Sequence, residues 1–368
     1  MFNKKLSGML TLIVVLLFTL TACSAKEKET STGDAGSSDK TTTSPSAVGT
    51  DGTNDSSKDS GIDLSSVTLR FGTTGWKTQE ALLKAAGFDD TPYKVEYTNF
   101  QGGNLCLEAM AANQIDLTGS SEIPPIYASL AENSGNFKII AINNSNTQLQ
   151  ELILPPNSTV KSVAELKGKK VGFIKSTTAQ YFLYVMLKNA GLAWTDIDAI
   201  EITTADGVSA LLGGDLDAFA SYGNSINAAK NGGATTLESA QDILSGNFPF
   251  EASQDALADE AKRAAIADYL ARLQLVNEWQ KEHLEEWAEI SADPTGQTVE
   301  DALAVLEKGY EQRDTTIITI SEDIITSEQN VADAFFAVGL LESKIDVSTL
   351  YDDSLSSDYQ NALDALRK

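Results

Sequence analysis

The stretch VGFIKSTTAQYFLYVMLKNAGL, Val171 to Leu192, begins as an apolar strand, passes through Lys-Ser-Thr-Thr and continues as an apolar helix ending at Gly191. Backbone N–H groups in the first turn of a helix lack intrahelical acceptors, and hydroxyls beside them add polar atoms. The turn Ser176-Thr177-Thr178 therefore suits a small anionic or polar group. Ser176 or Thr177 can equally serve only to cap the helix. The rest of the chain decides between the two.

Working outward, short β-rich runs alternate with amphipathic helices from Val67, which predicts an α/β fold with a largely parallel sheet. Strands are expected over 67–71, 93–98, 116–118, 137–142 and 149–154, with helices over 79–86 and 105–112. The turn Gly119-Ser120-Ser121-Glu122 leads into a helix opened by Pro124-Pro125, as proline favours a first turn. Pro155-Pro156 then breaks the chain, and SVAELKGKKVGF opens a second lobe. In that lobe 199–202 and 216–219 read as strands, 205–212 as a helix, and Ser221-Tyr222-Gly223-Asn224 as a turn. Phe248 to Ala252 reads as a strand returning to the first lobe, and the remainder is mostly helical. Asp215 and Asp217, in GGDLDAF, flank a short strand. Two hydroxyl-rich turns, 119–122 and 176–178, each follow a strand and open a helix, where ligands bind in open α/β sheets.

The N-terminus has another character. Lys4 and Lys5 precede the apolar run MLTLIVVLLFTL and then Leu20-Thr21-Ala22-Cys23. This is the order of a secretory signal, and the run is shorter than the ~18 residues a membrane span needs. The Leu-Thr-Ala-Cys tetrapeptide resembles a bacterial lipobox, which implies a lipidated Cys23 as the first mature residue. From Ser24 to about Asp63 the chain is Ser, Thr, Gly, Asp and Lys with almost nothing apolar, and reads as a disordered tether.

Of the 368 residues about 300 remain for the folded part, enough for one large or two medium lobes. The formal charge of −25 argues against nucleic acid or an anionic membrane surface as a partner. It does not exclude a small anion held by local N–H groups, because exposed charges are screened within ~8 Å. With Cys23 acylated, Cys106 has no intramolecular partner and is expected to pack as a small buried hydrophobe. The one histidine, His283, lies on a charged helical run, so His-rich metal sites are excluded and a Ser-His-Asp triad is disfavoured. Neither a metal nor a cofactor is expected.

The order of these pieces resembles the type II periplasmic binding-protein fold, and in particular the aliphatic-sulfonate, taurine and nitrate group of substrate-binding proteins of ABC importers. The matching stretches are LRFGTTGW, YTNFQGGNLCLEAMAANQIDLTGSSEIPPIYASLAE, VKSVAELKGKKVGFIKSTTAQYFLYVMLKNAGL and LLGGDLDAFASYGNSI, in the family's order from Val67 to Phe250. The resemblance implies a two-lobed α/β fold with the ligand cleft between lobes. The expected division is 1–22 signal peptide, 23–63 tether, 64–154 first lobe, 155–247 second lobe, and 248–368 return to the first lobe with C-terminal helices. The implied ligand contacts are Thr74, Gly75 and Trp76 after the first strand, Ser120, Ser121 and Glu122, Ser176, Thr177 and Thr178, and Tyr222 and Asn224 on the far wall. In this picture the hydroxyls of Thr177 and Thr178 and the N–H groups of the following helix are the donors. Glu122 either caps its helix or receives an amine or hydroxyl of the ligand. Relatives often carry Asp-Pro with a tryptophan where this chain has Ser221-Tyr222-Gly223-Asn224, and histidine where it has Gln180.

The resemblance implies a non-enzymatic, lipid-anchored monomer on the outer face of the cell membrane that hands a small organic anion to an ABC permease. An aliphatic sulfonate such as taurine or an alkanesulfonate is the leading ligand. Nitrate, a heterocycle such as a thiamine precursor or flavin, and a sensor role are the alternatives. An enzyme is a further alternative, because pyrimidine-forming proteins share this fold, but those depend on histidines in the cleft and this chain has His283 alone, on a peripheral helix.

Overall fold

The computed structural model describes residues 62–131 and 135–368. The expectations placed on the leader, on Cys23 and on the tether up to residue 61 lie outside the described residues. The chain enters at β1 (Thr68–Thr74) and passes through α1 (Thr78–Ala85), β2 (Lys94–Phe100), α2 (Gly103–Ala111), β3 (Leu117–Gly119), α3 (Ile123–Ala128) and β4 (Phe137–Asn144). It then builds β5 (Gln150–Leu154), β6 (Lys170–Phe173), α4 (Thr178–Asn189), β7 (Asp198–Glu201), α5 (Thr204–Gly213), β8 (Ala218–Tyr222), α6 (Asn224–Asn231) and β9 (Thr235–Ser239). The return is β10 (Asn247–Ser253), α7 (Gln254–Ala258), α8 (Glu260–Glu282), α9 (Leu284–Thr295), α10 (Val299–Gln312), β11 (Thr316–Ile318), α11 (Glu322–Ala337) and α12 (Ser356–Leu366).

Two sheets result, in the orders β11-β4-β10-β3-β1-β2 and β7-β6-β8-β5-β9. In the first, Leu69, Phe71 and Ile140 face a core shared with α8, and Ile139 and Ile142 a second core under α2, α3 and α11, the irregular β4–β10 register at Ile140 bringing 139 and 142 to one face. The second sheet has its own core, in which Val171 and Phe219 meet Phe182 and Leu183 of α4. At about 25 cal/mol per Å² of apolar area buried, these three layers supply the main stabilisation.

Each sheet is mixed rather than largely parallel. β1 pairs in parallel with β2 and β3, and β6 with β7 and β8, whereas β10 runs antiparallel between β3 and β4, and β5 antiparallel between β8 and β9. The crossing into the second sheet also precedes the expected boundary at 154/155. β5 is buried along its whole length because it lies between β8 and β9, so the chain changes sheets at 145–149. Pro155-Pro156 ends a strand already inside the second sheet.

The outgoing and returning crossings run side by side. Ser145 N donates to Gly246 O at 2.9 Å and Thr147 Oγ1 to Gln241 O at 3.1 Å. The Gln312 side chain binds both the N–H and the hydroxyl of Thr147, at 3.1 and 2.9 Å, which ties the crossing to α10.

Candidate functional site

The strand ends β1, β3 and β8 and the loop from β6 to α4 face one another across the space between the sheets. Thr74 ends β1, Ser120 and Ser121 follow β3, Tyr222 ends β8, and Thr177 caps α4. An inner cavity of about 260 Å³ is lined by Thr74, Gln79, Ser120, Ser121, Asn143, Gln150, Thr177, Thr178 and Tyr222, with Phe248 and Phe250 as an apolar wall. An outer cavity of about 680 Å³ shares Thr74 and Tyr222 with it and adds Gly75, Trp76, Phe100, Ala205, Val208 and Asn224. No described lining residue of either cavity carries a formal charge. In a chain of net charge −25, these uncharged linings are a local property of the strand-end loops.

The polar atoms of the inner cavity are held by bonds behind it. Thr178 Oγ1 donates to Gln150 Oε1 at 2.7 Å, and Thr73 Oγ1 donates to Gln79 Oε1 at 2.8 Å. With each carbonyl oxygen engaged, the Nε2 groups of both glutamines remain as donors for the cavity. Tyr222 Oη is buried without a partner, and a Cβ placed on Gly102 would lie 3.0 Å from it, so this hydroxyl reaches the start of α2 across the cleft. Burial pushes the Tyr222 phenol up to about 12, so it stays a donor. Oriented neutral N–H and O–H groups in a desolvated pocket stabilise an anion through local dipoles.

The hydroxyls named from the sequence act one step further back than expected. Thr177 Oγ1 gives its hydrogen to Ile174 O at 2.8 Å and accepts from Ala179 N, so it is a helix cap. Thr178 gives its hydrogen to Gln150 and orients the donor there. Ser176 takes a left-handed φ of 57°, sends its N–H to Gln180 Oε1 at 2.7 Å and lies outside both linings. Glu122 sits at the start of α3 without a side-chain cap bond, is buried away from both cavities, and has Oε2 unpartnered. Burial raises its carboxyl to about 7. Because α3 is only six residues long, its turn contributes hydroxyls more than a helix dipole.

Thr74, Ser120, Ser121, Thr177, Thr178 and Tyr222 thus meet in the inner cavity, and Gly75, Trp76 and Asn224 line the outer one. Trp76 is braced by stacking on Trp287, with ring centroids 5.6 Å apart. Sequence reasoning missed Gln79, Gln150 and Asn143. A glutamine opening a helix or a strand carries no distinctive pattern, although Gln150 lies opposite Tyr222 in the β5–β8 register. Lys175 is exposed, pairs with Glu201 at 3.2 Å and lines with it and Glu108 a third cavity of about 300 Å³ that shares Gln101 and Thr204 with the outer one, whereas Asp217 accepts from Lys170 N at 2.9 Å and lines neither the inner nor the outer cavity.

Residues 86–252 match the protein family described as NMT1/THI5 like. A protein of Escherichia coli (strain K12), provisionally named an aliphatic sulfonates-binding protein, is 28% identical over 256 residues, which are 69% of this chain and 78% of that protein. The crystal structure of the periplasmic aliphatic sulphonate binding protein SsuA from Escherichia coli matches with a TM-score of 0.65 at 26% identity, covering 77% of this chain and 92% of that one. The desulfurization enzyme DSZB shares the fold alone, at 13% identity and a TM-score of 0.57 over 82% of this chain and 99% of its own. The chain is similar to these aliphatic-sulfonate-binding proteins and shares the two-lobed fold of the periplasmic one.

Proposed function

We propose that this chain captures an alkanesulfonate outside the cytoplasm and delivers it to the permease of an ABC importer. The observation that carries this reading is the pairing of an inner cavity into which two fixed glutamine amides donate with a larger outer cavity in which Trp76, Phe100, Ala205 and Val208 supply apolar wall among neutral polar residues. A sulfonate group needs hydrogen-bond donors, and its tail needs apolar surface. The uncharged linings refine the ligand further. No carboxylate is present for the ammonium of taurine, because Glu122 is turned away, so unsubstituted alkyl tails are favoured. Nitrate would leave the outer cavity unfilled.

The same reading places the folded domain at the outer membrane face, tethered through a lipidated Cys23, and working as a monomer. Closure of the lobes about the crossings at 145–149 and 240–246 would present the permease with a surface that only the loaded form displays. We infer no enzymatic step. Cys106 is buried with its thiol pushed up to about 12, and His283 stacks on Trp279 where α8 meets α9, far in sequence from the lining residues.

A second reading keeps the transport role and replaces the sulfonate by a heterocycle, which Trp76, Phe100 and Tyr222 could wall in. Thermal unfolding of the purified protein with alkanesulfonates, taurine, nitrate and heterocycles separates the two. A ligand at about 100 times its Kd should add about 2.7 kcal/mol. The largest shift is expected from alkanesulfonates; a shift with heterocycles alone would replace the ligand class.

A further inference from the structure

Behind the Ser120 turn lies a carboxyl that does not line the cleft. Glu251, in β10 opposite Thr118 of β3, is 0% exposed, and its Oε1 is 2.5 Å from Ser120 Oγ. Its Oε2 has no hydrogen-bond partner. Ser120 Oγ also lies 2.9 Å from Ser121 O and borders the inner cavity.

A serine hydroxyl has one hydrogen, and the state of Glu251 decides where it points. An ionised carboxylate only accepts, so Ser120 must donate to it and shows the cavity lone pairs, which repel an oxyanion. A protonated Glu251 donates its own hydrogen to Ser120 Oγ, and the serine hydrogen is released toward Ser121 O or a ligand oxygen. We propose that Glu251 is a positioning residue that must hold a proton for Ser120 to donate to the ligand's sulfonate, so that capture of the anion is coupled to retention or uptake of one proton. This deepens the reading of the cleft given above and rests on it.

The surroundings keep that proton in place. The titratable groups toward Glu251 are Glu328 of α11, Tyr351, and Cys106 of α2, with Glu122 next to Glu328 and Tyr351. Glu328 Oε2 accepts from Tyr351 Oη at 2.5 Å, and its Oε1 is unpartnered. None of these groups is a cation. On the neighbouring strand β4, Lys138 sends its ammonium to Thr349 O, and below β3 Asp116 takes both Arg70 and Lys262. Burial without a counter-charge holds Glu251 well above the ordinary carboxylate range.

Ethanesulfonate is the probe, because its own charge is constant between pH 5 and 9. Calorimetric titration of the wild-type protein in buffers of differing ionisation enthalpy should show proton uptake on binding, rising with pH. The Kd should weaken by up to tenfold per pH unit above the carboxyl's midpoint, to a total of about ten- to a hundredfold. Glu251→Gln, which never ionises and can donate from its amide to Ser120, should flatten the profile and abolish the proton uptake. A wild-type profile that is flat, without proton uptake, overturns the proposal. So does a slope that persists in Glu251→Gln but disappears in Glu122→Gln or Glu328→Gln. Absence of binding at every pH would instead overturn the sulfonate reading on which the proposal rests.

Discussion

Thr178 Oγ1 donates to Gln150 Oε1 at 2.7 Å, and this one bond decides which end of the Gln150 carboxamide meets the inner cavity. The threonine comes from the first turn of α4 and the glutamine from the start of β5, so two separate elements fix the donor. Gln150→Glu places an acceptor where the donor stood. It should weaken alkanesulfonate binding by at least about a hundredfold, since it adds repulsion to a lost bond. Thr178→Val keeps the shape and releases the carboxamide, with an expected loss of about tenfold. Titration calorimetry on both variants checks the order.

Because no described charged side chain lines the inner or the outer cavity, salt should act in the direction opposite to a cationic site. The net charge of −25 repels an anion at long range, and salt screens that repulsion. Affinity is expected to stay level or to rise slightly between 20 and 500 mM NaCl, values chosen to span roughly 20 to 4 Å in screening length. A fall of tenfold or more would reveal a cation drawn into the site on closure.

Trp76 tests the division between head and tail. Its ring lines the outer cavity only and is braced by Trp287. Trp76→Ala should weaken butanesulfonate or longer ligands by about tenfold, in line with about 1.5 kcal/mol for lost apolar contact, while leaving methanesulfonate within about twofold. Equal losses for both would place the head group in the outer cavity.

The buried carboxyls make stability depend on pH in a set direction. Burial raises Glu328 from its ordinary 4.5 to about 8, so the folded protein binds this proton more tightly than the unfolded chain. Stability should therefore be lost as pH rises from about 4.5 through about 8. Glu328→Gln can still accept from Tyr351 and never ionises. It should match the wild type near pH 5 and exceed it by a few kcal/mol at pH 9, read as a Tm difference that grows with pH.

The sequence shows the frame of this molecule more clearly than its donors. The alternation of Leu69 and Phe71 marks β1 and its core face, while the Gly-Ser-Ser turn after β3 and the Ser-Thr-Thr turn before α4 announce strand ends that carry polar groups, and both turns bring residues to the cleft. Antiparallel β10 and β5 could not be read as such, because a buried strand such as QELIL has the same apolar run in either direction. Gln79 and Gln150 escaped for a related reason: their role comes from threonines at sequence separations of 6 and 28, and only the fold brings the second pair together. Glu122 shows the converse, since its place beside two serines suggests a ligand contact while the turn of α3 carries it inward.

In the proposed function, fixed neutral donors between the two sheets hold a sulfonate. The most direct test is calorimetric titration of the purified protein with an alkanesulfonate series at pH 6, beside Gln150→Glu. One site per chain is expected, with Kd in the micromolar range or tighter, and a Kd at least about a hundredfold weaker in the variant. Binding that survives Gln150→Glu unchanged, or a wild-type protein that binds heterocycles and no sulfonate, would contradict it.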